Sequence, residues 1–209
     1  MRRETIYDEV FDAQQHFRLI LDSMARPGKI NVIPKMAVEP PAGINQASAL
    51  AAFALLNTDV TFYAEGEGSS EIEGYIALNT TASPASVGDA DFIFVDGMYE
   101  AGIVFDAKTG ILPYPENSAT FILSVTVISA SDGDLKLTLK GPGIETTTEV
   151  YINGVNPEIF KAVREQNLEF PLGIDLIITD KENNIICLPR SNRFSLEFAE
   201  VPLAGNPED

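Results

Sequence analysis

Cysteine and histidine are nearly absent. The 209 residues hold one of each, Cys187 and His16. A single thiol makes no disulfide within the chain, which fits a reducing compartment or one without strong redox constraint. One imidazole and one thiol cannot build a tetrahedral N/S zinc site. A thiol nucleophile wants a nearby imidazole, yet the two residues lie far apart in sequence. A serine triad would have to use His16, and no serine stands in a G-x-S-x-G elbow. Carboxylates are plentiful, but there is no D-x-D-x-D-G calcium loop, no G-x-G-x-x-G and no G-x-x-x-x-G-K-[ST]. The nearest thing to a phosphate cradle is GPGIE, 141–145, where Pro142 removes a backbone donor, so it reads as a plain turn.

Positive charge is scarce too. Lys and Arg number 14 against 31 Asp and Glu, a net charge of −17. Nucleic acid and anionic membrane need a basic face, so neither is expected as a partner. A small anionic ligand is still allowed, because salt screens exposed charges beyond about 8 Å. No run approaches the roughly 18 apolar residues of a membrane span. MRRETIYDEV is basic without an apolar stretch behind it, so no signal peptide is expected. The expectation is a soluble, cytoplasmic protein. At this length a domain buries roughly 70% of its unfolded surface, so it needs no disulfide or metal staple. We expect one domain over 1–209, with 195–209 a tail of uncertain order.

What is present reads as interleaved helices and strands. The spacing of Val10, Ala13, Phe17, Ile20, Leu21 and Met24 predicts a helix over 8–26 with those residues on its buried stripe. Pro27 and Gly28 end it, and His16 and Arg18 flank the stripe. QASALAAFALL, 46–56, predicts a helix apolar nearly all round, and a candidate dimer face. Further helices are expected over 71–79 and 156–167, the latter with Asn156 as cap and Pro157 at its first position. Strands are expected at 60–64, 91–96, 119–129, 135–140, 146–153, 174–179 and 185–188. DFIFVD, 91–96, is a continuous apolar run, as in a strand covered on both faces. Asp132-Gly133 predicts a hairpin between 119–129 and 135–140. In the latter strand Leu135, Leu137 and Leu139 face the core. Residues 79–90 read as a loop, and 98–110 fit helix and strand equally. This alternation predicts a layered α/β domain around a mixed sheet.

The arginines stand out because they are few. Arg18, Arg26, Arg190 and Arg193 fall at a helix flank, a helix end and the exit of a strand. Asp175, at the start of the preceding strand, is the natural partner for Arg190. One reading is a structural ion pair. The other is a pair that holds an arginine fork ready for a phosphate or phosphonate oxygen, a contact of about 4 kcal/mol before desolvation. The candidate ligand-binding residues are therefore Arg18, Asp175, Arg190 and Arg193. No catalytic, cofactor-binding or metal-binding residue is singled out.

FRLILDSMARPG, KGPGIE, FPLGIDLIITD and LPRSNRF, in that order, resemble the PhnH family, subunits of the bacterial carbon–phosphorus lyase machinery. The likeness runs from about residue 12 to 194, with little contribution from 60–110 and none from 195–209. The resemblance implies a three-layer α/β/α sandwich similar to the pyridoxal-phosphate-dependent transferases, without the cofactor. It implies a homodimer that joins the sister subunits PhnG, PhnI and PhnJ. That assembly, with PhnL, is associated with forming alpha-D-ribose 1-methylphosphonate 5-triphosphate from ATP and a phosphonate, ahead of a radical step that breaks the C–P bond. The family brings no settled catalytic residues with it. Two other readings stand beside this one: a stand-alone transferase binding phosphate or phosphonate through Arg18, Arg190 and Arg193, and a purely architectural dimer.

Overall fold

A computed structural model describes residues 3, 4 and 6–198. In chain order the elements are α1 (Phe11–Ala25), β1 (Asn31–Val32), α2 (Gln46–Leu55), β2 (Thr61–Glu65), α3 (Ser69–Thr80), β3 (Ser83–Pro84), β4 (Phe92–Asp96), α4 (Ile103–Asp106), β5 (Thr109–Ile111) and β6 (Tyr114–Ser118). There follow β7 (Thr120–Ser124), β8 (Val127–Ser129), β9 (Leu135–Lys140), β10 (Thr148–Asn153), α5 (Pro157–Gln166), β11 (Asp175–Thr179), β12 (Asn184–Leu188) and β13 (Arg193–Phe198).

A seven-stranded sheet in the order β1-β12-β11-β7-β4-β2-β3 organises the molecule. Only β12 runs against the others. Its central strands β4, β7 and β11 are apolar on both faces because both faces are covered. On one side α1, α2 and α3 pack on Phe62, Phe94, Ile122, Ile177 and Ile185. On the other side Ile93, Phe121, Leu123, Leu176, Ile178 and Ile186 meet α4, α5 and a second sheet, ordered β13-β9-β10-β8. The mixed sheet and its helical cover match the expected α/β class. The third layer differs from helices alone, since the antiparallel sheet supplies Leu135, Leu137, Leu139, Val150 and Ile152 to it.

Several expectations change. Helix α1 buries His16, Ile20 and Ser23, while Val10, Phe17 and Leu21 are exposed. The small Ser23 donates to the Leu19 carbonyl at 3.0 Å and accepts from Asn31 at 2.9 Å, and α1 lies against α2 and β12. Close approach selects that stripe over the greasier one. Accordingly His16 is a core residue and not a boundary one. Helix α2 is walled in by α1, α3 and β7, with Ala47–Ala52 buried, so it cannot serve as a dimer face. Its cap, Asn45, accepts from Ser48 N at 2.9 Å and donates to the Thr179 carbonyl at 2.9 Å, pinning the helix start to the end of β11.

The expected strand over 119–129 is two strands in two sheets. Ser124 ends β7, Val125 N bonds the Thr179 carbonyl, Thr126 N bonds the Asn153 carbonyl, and β8 joins β10. Phe121, Leu123, Val125 and Ile128, from both pieces, share one core, so the sequence shows no break between them. Asp132-Gly133 therefore turns the chain without making a hairpin, because β9 pairs with β10 and β13 and not with β8. The loop at 79–90 contains the edge strand β3, and 98–110 holds α4 followed by β5. Residues 193–198, partly inside the presumed tail, form β13. Residues 199–209 lie outside the described residues. No described helix is long and apolar enough to cross a membrane.

Candidate functional site

The four segments singled out in the sequence meet at the amino end of β11, an interior strand of the main sheet. The turn at 141–145 lies flush on the end of α1: Gly143 has φ +81°, and a Cβ there would stand 2.2 Å from the Ala25 carbonyl oxygen. Only glycine allows that contact in that conformation. Asn192, buried, donates its amide to the Pro142 carbonyl at 3.1 Å, so the turn after β12 is tied to the turn after β9. Asn167, after α5, accepts from Ile174 N at 2.8 Å and donates to the Ile174 carbonyl at 3.0 Å. That bond pair clamps the approach to β11.

These clamps hold a cleft of about 650 Å³ lined by Arg164, Arg190 and Arg193 together with Leu168, Phe170 and Phe194. Asp175 faces Arg190 from the start of β11. Its Oδ1 accepts the Arg190 backbone N–H at 2.7 Å, and Nε donates to both carboxylate oxygens at 3.2 Å. Nη2 donates to Oδ2, and Nη1 donates to the Pro115 carbonyl at 2.9 Å. One N–H on each terminal nitrogen is left over. The structural ion pair is thus present, and it fixes the fork.

Arg193 and Arg164 differ. Both are exposed, and neither has an ion-pair partner among the described residues. Three of the chain's seven arginines therefore converge on one cleft of a strongly acidic protein. Arg164 escaped sequence reading: it sits on the last turn of α5, and only its proximity to the PLG turn hinted at a role. Arg18 was expected here and is not. It is exposed on α1 and lines no part of the cleft.

The cleft has an apolar rim. Leu168 and Phe170 are 76% and 65% exposed. Pro115 and Phe170 line an adjoining depression, and Gly173 N donates to the Thr109 carbonyl at 3.0 Å, so the β5–β6 hairpin stands beside the rim. The hairpin adds exposed Ile111, Leu112 and Tyr114. Exposed apolar groups gathered around arginine forks have the composition of an interface.

Neither Cys187 nor His16 reaches the cleft. Cys187 is fully buried on β12 beside Ile20, and burial pushes its thiol well above the ordinary range, which keeps it un-ionised and unreactive. His16 is enclosed beside Tyr7, ring centroids 5.6 Å apart. No group of three or more His, Cys, Asp or Glu side chains able to hold a metal ion occurs among the described residues.

Fold and cleft define an acidic mixed α/β protein that gathers arginine side chains beside exposed apolar groups. The chain belongs to the PhnH family of bacterial phosphonate metabolism proteins, whose pattern residues 5–195 match. It is 32% identical over 197 residues to the alpha-D-ribose 1-methylphosphonate 5-triphosphate synthase subunit PhnH of Rhizobium meliloti (strain 1021), covering 91% of this chain and 94% of that protein. It is 33% identical over 117 residues to the putative C-P lyase subunit protein HtxG of Stutzerimonas stutzeri, covering 55% of this chain and 56% of that one.

Proposed function

We propose that this chain is a non-autonomous subunit of a carbon–phosphorus lyase assembly in phosphonate catabolism, one associated with forming alpha-D-ribose 1-methylphosphonate 5-triphosphate from ATP and a phosphonate. The observation that carries this reading is the likeness, over nearly the whole of both chains, to a protein named as a subunit of that synthase. The partners are a second copy of the chain and the sister subunits PhnG, PhnI and PhnJ, in the cytoplasm. The large mixed sheet under its helices supports kinship with the pyridoxal-phosphate-dependent transferase fold, without the cofactor. In this assembly the arginine cleft and its rim dock a sister chain through an acidic segment with an apolar anchor. Charge complementarity supports this: Arg164 and Arg193 have no ion-pair partner among the described residues, and Leu168, Phe170 and Leu112 stand exposed beside them. Aromatic side chains and arginines are the residues that dominate interface energetics. Co-expression with the sister chains should yield one stable complex. Elution of this chain as a free dimer at micromolar concentration in their presence defeats the reading.

A second reading draws on the same free forks. Arg193, with the two remaining N–H groups of Arg190, is arranged to take oxygens of a phosphate or phosphonate. The isolated protein would then bind methylphosphonate or ATP, and Arg193→Ala would abolish it. A flat calorimetric titration removes this reading and leaves the first untouched.

A further inference from the structure

The main sheet ends on two short strands. β1 and β3 have two residues each, and β3 carries Pro84. Short strands and proline are common means of stopping a sheet edge from pairing with another chain. The second sheet ends differently. β13 lies at its margin, six residues long and without proline, and it pairs with β9 through six successive residues with no bulge. No backbone hydrogen bond joins its outer side to another described residue.

Side chains along β13 alternate. Phe194, Leu196 and Phe198 face inward, opposite Leu139, Leu137 and Leu135 of β9. Those three leucines are at most 1% exposed, yet Phe194 and Leu196 are only half-buried and Phe198 is 55% exposed. The core is thus left uncovered along this flank. Arg193, Ser195 and Glu197 face outward and are all exposed. Arg193 has no ion-pair partner among the described residues, and Glu197 reaches Lys136 at 3.5 Å. From 193 to 197 the order is cation, apolar, serine, apolar, anion. Such an order is complementary to itself when reversed.

Residues directly opposed in an antiparallel pair share one face of the sheet, and opposite charges placed so attract. A second β13, run antiparallel about a twofold axis at Ser195, sets Arg193 opposite Glu197 of the second copy on the outer face, twice by symmetry. On the inner face it sets Phe194 opposite Leu196, again twice. An axis moved one residue either way, to Phe194 or Leu196, matches neither charge. We propose that two copies of this chain join β13 to β13 in the register centred on Ser195, making their four-stranded sheets one continuous sheet. This is strand addition with a self-complementary surface. It gives a face to the second copy in the function proposed above, on which it rests in that respect, where α2 cannot. It needs no sister chain. One strand pair is small beside a standard interface of about 1,600 Å², so the dimer is expected to be reversible and of micromolar strength.

The test is sedimentation equilibrium of the full-length protein, alone, over a wide range of concentration. A reversible dimer is expected. Glu197→Arg should weaken it tenfold or more, because like charges then face each other across the axis. Arg193→Glu should do the same, but Arg193 also borders the arginine cleft, so the charge swap is the informative form. Arg193→Glu with Glu197→Arg restores both pairs and should bring the dimer back to within about threefold. Glu149→Gln is the control: Glu149 holds the same Lys136 at 2.8 Å but lies on β10, away from the edge, and its loss should leave the dimer unchanged. All three positions are exposed, and melting curves at high dilution show whether each monomer keeps its fold. A monomer at every concentration overturns the proposal. So does a dimer that withstands Glu197→Arg, or a swap no better than the single changes. Equal weakening by Glu149→Gln would trace the effect to Lys136 inside the chain and overturn it too. Loss of sister-chain recovery in Glu197→Arg with self-association unchanged would assign this edge to a sister chain instead. Failure of the dimer leaves co-assembly with sister chains standing, and failure of co-assembly leaves the dimer.

Discussion

Asp175 opens β11 and receives Arg190, from the turn after β12, through both its backbone N–H at 2.7 Å and its guanidinium. The same guanidinium reaches the Pro115 carbonyl at 2.9 Å, so the pair ties the β5–β6 hairpin to two strands of the main sheet. Its side chains are only 20% and 14% exposed. Removing one partner strands the other's charge away from water, which costs more than the pair contributes net. Arg190→Ala should therefore lose about 3 kcal/mol, a fall in Tm of roughly 10 °C for a chain of this size. The double variant Asp175→Leu with Arg190→Met should lose less than the two single changes together, since no unpaired charge is left behind. Thermal melting followed by circular dichroism checks both. Additive losses would mean the two side chains act independently.

Arg193 should behave differently, because it is exposed and holds no ion-pair partner among the described residues. Exposed substitutions away from special contacts stay within about 0.5 kcal/mol in stability. Arg193→Glu is expected to melt like the unaltered protein while reducing recovery with co-expressed sister chains tenfold or more. Pull-down yields set against Tm make the comparison. Intact assembly with the reversed charge would place docking elsewhere.

His16 makes stability depend on pH. It is 1% exposed, and its Nδ1 has no hydrogen-bond partner among the described residues. Burial pushes its pKa below the ordinary 6.5, more than the nearby Asp12 raises it. The unfolded chain takes up a proton near the ordinary value, and the folded chain does so only at lower pH. Stability from this group is thus complete above pH 6.5 and is lost as pH falls from there through the folded value. Other groups also titrate on acidification, so the informative quantity is a difference. The loss between pH 7.5 and 5.5 should be smaller in His16→Gln by about 1 kcal/mol, measured as urea midpoints. Equal losses in the two proteins would mean the imidazole is protonated in the fold.

Sequence reading recovered what local pattern carries. The strand at 135–140 stands as read, those expected at 174–179 and 185–188 start within one residue of the expectation, Asn156 caps α5, and Asp175 does meet Arg190. Failures came where long-range packing decides. The α1 stripe was misjudged because size outweighs hydrophobicity when a helix must lie close to its neighbours: Ser23 and His16 turned inward, Phe17 and Leu21 outward. The break at Val125 left no trace because β7 and β8 share one core. Arg164 and Arg193 come together only through the clamps made by Asn167 and Asn192, and no spacing rule links positions 164 and 193. Arg18 looked equivalent in sequence and stands apart in space.

Gly173 shows how much of the cleft's shape rests on one missing side chain. It sits at φ +134°, where residues with a Cβ are strained, and a Cβ there would meet Asn167 Oδ1 at 2.2 Å. That oxygen is the one that accepts Ile174 N at 2.8 Å. Gly173→Ala must therefore strain the backbone and push away the clamp on the approach to β11. A loss of about 2 kcal/mol is expected, larger than the tenths that a tolerated glycine-to-alanine change gives. The displacement should also loosen Phe170 and Arg164, both on the cleft wall. Amide hydrogen exchange provides the specific check: protection at Ile174 and Gly173 should fall, while that of the β9–β10 pair stays as it was. Unchanged exchange at Ile174 would show that Asn167 does not hold this turn.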